Sequence, residues 1–131
     1  MSHFTKVKTK IADANILERA LKKSLDWEVK RDYTARGYNG GKINADVVAV
    51  NPVDSYDVGF VKGKEEDGGV SYELAADFYG LKNYTQESLL QLILQNYALA
   101  TIEDEAVESN YEMGIPTYEK DGSIRLVLTR W

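Results

Sequence analysis

Apolar and polar residues alternate between positions 45 and 78 in a pattern that predicts three successive strands, at 45–50, 56–62 and 70–78. Turn residues separate these strands, with Asn51-Pro52 after the first and Asp67-Gly68-Gly69 after the second. Short polar turns between such strands favour antiparallel pairing of neighbours. The stretch therefore predicts an antiparallel meander with one buried face and one polar face.

Two runs of apolar residues at helical spacing flank this meander. Asp13 is suited to cap a helix that ends near Leu25, and Thr85 is suited to cap a longer helix. If the second helix reached Ser109, it would be about 37 Å long at 1.5 Å per residue. Both helices are expected to pack on one face of the sheet.

Other alternating segments predict further strands at 3–11, 27–32, 111–118 and 123–131. A turn at 119–122 joins the last two, and the predicted order of elements is βα-ββββ-α-ββ. These elements indicate an α+β fold in a single domain, residues 1–131. The domain is expected to contain a mainly antiparallel sheet of about six to seven strands with both helices on one face.

Two charged surfaces each leave two interpretations open. Lys6, Lys8 and Lys10 share one side of the first strand, where they either bind an anionic partner or keep an exposed strand from pairing with another chain. Four acidic residues in the last turns of the second helix oppose the negative end of the helix dipole, and they are either solvated or offset by a basic partner. These residues are Glu103, Asp104, Glu105 and Glu108.

The segment 33–44 combines glycines and tyrosines with two cations, a composition suited to cradle a phosphate or carboxylate. It does not match a Walker loop, which needs Gly where this chain has Arg36 and Ser or Thr where it has Ile43. The alternative is a mobile connector in which the glycines adopt positive φ angles. The candidate ligand-binding residues are Arg36, Gly37, Tyr38 and Lys42, with Asp57 and Asp77 expected nearby.

The sequence offers little for catalysis or metal binding. It has no cysteine, its one histidine is His3, and no serine lies in a nucleophile-elbow context. The carboxylates Asp57, Glu73 and Asp77 are expected on the polar sheet face, where they hold a hard cation, act as acid and base, or are merely exposed. We therefore assign no catalytic residue, no metal site and no cofactor.

Charge and hydropathy narrow the classes of partner. With 16 basic and 21 acidic residues the formal charge is −5, which repels polyanions and argues against a nucleic-acid role. No apolar run approaches the roughly 18 residues of a membrane-spanning helix, and the N-terminus has no apolar signal-peptide segment. The lack of cysteine is compatible with a reducing compartment. These features predict a cytoplasmic protein without membrane insertion.

Several blocks of sequence occur in an order that resembles a known family. They are residues 1–5, Arg36-Gly37-Tyr38, Tyr56-Asp57-Val58-Gly59-Phe60, residues 72–78 and residues 124–131. Together they are similar to the hypothetical chloroplast reading frame thirty-five family of cyanobacteria and red-algal plastids, with relatives in other bacteria and in cyanophages. The resemblance covers essentially the whole chain. It implies a location in the cytoplasm or plastid stroma, and it brings neither an activity nor a catalytic residue.

Two hypotheses for function follow, and both leave the oligomeric state open. The first is a non-enzymatic protein-interaction module, with an assembly or regulatory role in a cyanobacterial, plastid or cyanophage setting, that binds through the sheet face or the Gly-rich segment. The alternative is a binder of a small phosphate-bearing or nucleotide ligand, or a small enzyme, centred on Arg36, Tyr38 and Lys42. An exposed apolar patch would favour the first, and a concave pocket of convergent polar groups would favour the second.

Overall fold

The structure, a computed structural model, describes residues 4–108, 111–114 and 116–130. Its main sheet contains five antiparallel strands. In chain order they are β1 (Thr5–Lys8), β2 (Glu28–Arg36), β3 (Lys42–Val50), β4 (Val58–Lys64) and β5 (Val70–Ala76). Their spatial order is β1-β5-β4-β3-β2, so the predicted meander forms the centre of the sheet. In its register Val47 pairs with Phe60, and Phe60 pairs with Leu74.

Two helices pack on one face of this sheet, α1 (Ala14–Leu25) and α2 (Gln86–Glu108). Both predicted N-caps are confirmed. The Asp13 Oδ1 atom accepts hydrogen bonds from the backbone N–H groups of Asn15 and Ile16 at 2.8 and 3.0 Å. At the second helix Thr85 Oγ1 accepts from Ser88 N–H at 3.1 Å. The fold is α+β, as the sequence predicts.

The core lies between the helices and the sheet. Its fully buried side chains come from both helices and from the three central strands. They include Leu17 and Leu21 of α1, Val47, Phe60 and Leu74 of the sheet, and Leu89 and Ile93 of α2.

The segment 33–44 is a strand hairpin, so the expectation of a long connector is wrong, although Gly40 in its turn has the predicted positive φ, 76°. β2 runs to Arg36 and β3 starts at Lys42, and these two residues pair with each other at the end of the ladder. Only residues 37–41 form the turn, in which Gly37 N–H donates to Gly41 O at 2.8 Å. Tyr33, Thr34 and Ile43 suit a strand ladder, and all three glycines of the segment lie in the turn.

The far half of this hairpin covers the second face of the sheet, which the alternation predicts to be polar. A Cβ atom on Gly59 of β4 would lie 3.1 Å from the Cβ of Ala45 and 3.3 Å from that of Ala35. Ala35, Ala45 and Val48 form a second apolar cluster, with Phe4 packed against it. The expectation of a solvated polar face is therefore wrong around β4 and β5.

The C-terminal segment forms two short ladders beside the main sheet. They contain β6 (Tyr111–Met113), β7 (Thr117–Tyr118), β8 (Ile124–Arg125) and β9 (Leu128–Arg130). β6 pairs with β9 and β7 pairs with β8, so these strands do not extend the five-stranded sheet. The predicted turn at 119–122 is confirmed, and Gln95 Nε2 of α2 donates to Gly122 O at 2.7 Å. The predicted ends of the first and last strands at His3 and Trp131 lie outside the described residues.

Candidate functional site

Five of the six candidate residues meet where the tip of the β2–β3 hairpin reaches the ends of β4 and β5. We call this region the hairpin corner, and it consists of Arg36, Gly37, Tyr38, Asp57 and Asp77. Both carboxylates are fully buried. Buried carboxylates need partners, so their hydrogen bonds decide whether the corner is free to bind a ligand.

Asp57 is held by Arg36 on both of its oxygens. Its Oδ2 accepts from the backbone N–H and the Nε of Arg36 at 2.9 and 2.8 Å, and its Oδ1 accepts from Arg36 Nη2 at 2.8 Å. Asn51 N–H donates a further bond to Oδ1 at 2.8 Å. The hydrogen bond to Asp57 raises the pKa of the Arg36 guanidinium, more than burial lowers it. The Nε and Nη2 groups of Arg36 therefore form a bidentate pair with a carboxylate of the same chain.

Asp77 ties the hairpin tip to the end of β5. Its Oδ2 accepts from Tyr38 N–H at 2.8 Å, and its Oδ1 accepts from Tyr79 N–H at 3.1 Å. A Cβ atom on Gly37 would lie 2.8 Å from Phe4 Cζ and 3.3 Å from Asp77 Oδ2. Glycine at 37 therefore serves close packing against the body of the protein, rather than the approach of a ligand to the backbone.

Tyrosines surround Asp77, an arrangement that the sequence pattern does not predict. The rings of Tyr38 and Tyr79 meet edge to face, with centroids 5.2 Å apart and an interplanar angle of 79°. The ring of Tyr56 covers Gly80 so closely that a Cβ there would lie 2.1 Å from it. Desolvation, and after it the charge of Asp77, raises the pKa of Tyr56.

The sixth candidate, Lys42, lines an open groove of about 400 Å³ together with Arg36. Asp32, Tyr33 and Thr34 complete the lining. Arg36 is paired with Asp57, and Asp32 lines the groove together with Lys42, so the formal charges around the groove nearly cancel. Within the described part of the chain, no group of three or more His, Cys, Asp or Glu side chains could hold a metal ion.

A larger groove of about 670 Å³ lies between α2 and the turn that joins β7 to β8. We call it the α2 groove, and it is lined on one side by Leu90, Leu94, Ala98 and Ile102 and on the other by residues 121–124. The spacing of four along α2 places the first set in one stripe. Leu94 is 38% exposed, whereas the preceding residue, Ile93, is fully buried under the sheet.

This second stripe is not among the features predicted above, although its signal is present in the sequence. The prediction for α2 is a helix that packs one face on the sheet. Leu90 does pack against the core, but it also begins the spacing of four that continues through Leu94 and Ala98 to Ile102. A helix that is apolar on two sides is expected to be covered on both.

The charges on α2 are all negative. Arg19 of α1 offsets two of them, since its guanidinium contacts Asp104 at 2.7 Å and Glu103 at 3.3 Å. These contacts, the hydrogen bond to Asp104 foremost, raise the pKa of Arg19. The basic group that the sequence analysis considered for this end of α2 is thus partly supplied by the chain itself. Glu87, Glu105 and Glu108 have no ion-pair partner among residues 4–108, 111–114 and 116–130.

No helix in the part of the chain that the structure describes is long and apolar enough to cross a membrane.

Comparison with known proteins identifies relatives along the whole chain. The family model described as "Protein of unknown function (DUF1257)" matches residues 20–127. A protein of Cyanophora paradoxa described as "Uncharacterized protein ycf35" is 35% identical over 133 residues, which cover 100% of this chain and 98% of that protein. Proteins with the same description from Guillardia theta and Pyropia yezoensis are 32% and 31% identical over the same shares. No solved structure matches the chain.

Proposed function

Because the chain belongs to the DUF1257 family of proteins of unknown function, we propose a function from its geometry: a non-enzymatic module that binds another protein in the α2 groove. The supporting observation is the contrast between neighbouring residues on one helix. Ile93 is fully buried by the chain itself, whereas Leu94 is 38% exposed in an apolar groove. Apolar surface left in water costs about 25 cal/mol per Å², which docking would recover.

The lining of the groove favours a protein over a polar metabolite. Ala98 lies between Leu94 and Ile102, so the stripe offers a shallow recess between two large apolar side chains. Such recesses receive the apolar anchors that dominate binding energy at protein interfaces. The polar groups of the lining are the side chains of Gln91, Gln95 and Ser123 and the carboxylates of Glu87 and Asp121. Gln95 donates to Gly122 O and Gln91 lies against Gly122, so these two amides contact the turn rather than a ligand position.

The hairpin corner supports the alternative, an anionic-ligand site, less well. Arg36 is bonded to Asp57, and the oxygens of Asp77 accept from backbone N–H groups that would otherwise point to a ligand. In our proposal Arg36, Gly37, Tyr38, Asp57 and Asp77 hold the hairpin in place. Lys42 then remains the residue through which a small anion would bind, beside the free edge of Arg36.

We place the module in the cytoplasm or plastid stroma. This rests on the resemblance to a chloroplast reading frame family and on the ycf35 description of the relatives from Cyanophora, Guillardia and Pyropia.

Site-specific photo-crosslinking in the native cell tests the proposal. p-Benzoylphenylalanine replaces Gln86, which precedes Leu90 by four residues on α2, or, as a control, Asp67 on the β4–β5 turn, and both positions are exposed. We expect one discrete crosslinked protein from position 86, none of that mass from position 67, and loss of the product when Leu94→Glu is added. The same product from both positions, or a product that survives Leu94→Glu, would contradict docking in the α2 groove.

A further inference from the structure

Shape limits what occupies the α2 groove. From Leu90 to Ile102 the apolar stripe is about 18 Å long at 1.5 Å per residue, which matches slightly more than three turns of a second helix. Residues spaced by four form a ridge, and ridges of this kind pack against those of a partner helix. Ala98, near the middle of the ridge, allows a side chain of the partner to approach closely.

Backbone hydrogen bonding also favours a helix as the occupant. The N–H and C=O groups within α2 bond along the helix, so the α2 wall of the groove offers no ladder to an extended peptide. A strand laid there would have to leave backbone groups unpaired on that side, which is costly in a dry interface. A helix satisfies its own backbone and presents only side chains.

Charge limits the occupant further. The lining residues include Glu87 and Asp121 and no lysine or arginine, and Glu105 and Glu108 continue the negative surface beyond Ile102. Asp121 accepts hydrogen bonds from the Ser123 hydroxyl at 2.6 Å and from its N–H at 2.9 Å, which lower the pKa of the Asp121 carboxyl. We call Glu87, Asp121, Glu105 and Glu108 the acidic rim of the groove. A second copy of this chain is disfavoured as the occupant, because a two-fold contact would bring two acidic rims together.

From this combination, which rests on the proposed function, we propose that the α2 groove binds an amphipathic helix of another protein whose apolar side chains enter the groove and whose flanking residues are lysine or arginine. The apolar stripe supplies the affinity. The acidic rim steers basic helices toward the groove and rejects acidic ones.

A displayed library of randomised peptides of about 16 residues, long enough for four helical turns, tests the class of partner. The wild-type protein selects binders, and the Leu94→Glu variant removes those that do not need the groove. We expect the survivors to carry apolar residues at spacings of three and four and a net positive charge. Survivors that are acidic, neutral or rich in proline would overturn the proposal, and so would a library from which nothing survives.

The best surviving peptide then measures the role of the rim by fluorescence anisotropy. Removing two charges with Glu87→Gln and Glu105→Gln is expected to weaken binding roughly three- to tenfold in about 20 mM NaCl, and much less in about 500 mM NaCl. The matched control removes two charges from the β4–β5 turn with Glu66→Gln and Asp67→Asn, and it should change the affinity less than about twofold. Equal losses in the two double variants would show a general field effect and overturn the rim's role.

These outcomes are separable from those of the proposed function. A specific crosslink from position 86, together with library binders that are not basic helices, would leave protein binding intact and refute the class of partner. If sedimentation velocity instead finds a dimer that Leu94→Glu dissociates, the groove is a self-association surface and the basic-helix proposal is wrong.

Discussion

The hairpin corner and the α2 groove differ in how far their groups are already satisfied. In the hairpin corner, the carboxylates of Asp57 and Asp77 are fully buried, and each is hydrogen-bonded within the chain. In the α2 groove, Leu94 remains partly exposed and Glu87 has no ion-pair partner among the described residues. The polar residues of the hairpin corner are thus already hydrogen-bonded within the chain, whereas the apolar stripe of α2 remains available to contact a partner.

The same contrast exists within α2, between Ile93 and Leu94. Ile93→Glu would place a carboxylate under the sheet, where desolvation costs several kcal/mol against a total stability of about 5–15 kcal/mol. We expect that this variant no longer unfolds cooperatively in urea when its unfolding is monitored by circular dichroism. Leu94→Glu should cost no more than about 1 kcal/mol, because its side chain is already partly in water. Similar losses in the two variants would mean that the chain itself covers both stripes.

Arg36→Ala tests whether the hairpin corner is a structural element. The substitution leaves the Asp57 carboxylate buried without its ion-pair partner, and we expect a loss of about 3–5 kcal/mol in the free energy of unfolding. Arg19→Ala is the matched control, since its pairs with Glu103 and Asp104 are exposed, and it should cost at most about 1 kcal/mol. If Arg36→Ala were as mild as Arg19→Ala, the corner would be free for ligand chemistry.

Glycine substitutions measure how closely the chain packs beside the corner. A methyl group at Gly80 would collide with the ring of Tyr56, and we expect Gly80→Ala to cost about 1–3 kcal/mol. At Gly63 on β4, where a methyl group would lie 3.7 Å from the nearest atom, the same change should be neutral or slightly stabilising. Differential scanning calorimetry of the pair gives the comparison. A tolerant Gly80 would show that Tyr56 moves readily and that the corner opens.

Part of this architecture could be predicted because its causes are local. Asp13 and Thr85 cap their helices through hydrogen bonds to residues two or three positions ahead, and the turn at 119–122 follows from its own residues. The alternation of β4 and β5 likewise reports which side chains share a face. Local signals of this kind fixed the element types and most of their order.

The hairpin corner could not be predicted, because its causes are distant in sequence. Asp57 receives hydrogen bonds from a residue 21 positions away, and Asp77 from one 39 positions away. Alternation distinguishes the two faces of a strand but does not reveal that a hairpin covers the second face. The expectation that both carboxylates are solvated is therefore wrong.

The smallest expected effect is that of phosphate-bearing ligands on thermal stability. A bound ligand at a hundredfold excess over its Kd would add about 2.7 kcal/mol. We expect inorganic phosphate, nucleotides and sugar phosphates to leave the Tm unchanged in a thermal-shift screen, because the groove beside Lys42 has nearly balanced charge. A dose-dependent rise in Tm that Lys42→Ala abolishes would revive the anion site.

The most direct test of binding in the α2 groove uses the crosslinked partner after purification. Isothermal titration calorimetry measures the affinity of this partner for two charge-changing variants. Leu94→Glu alters the α2 groove, and Lys42→Glu alters the surface beside the hairpin corner. We predict that Leu94→Glu weakens binding roughly tenfold or more, whereas Lys42→Glu changes it less than about twofold. A large loss with Lys42→Glu and none with Leu94→Glu would contradict the claim that this protein binds its partner through the α2 groove.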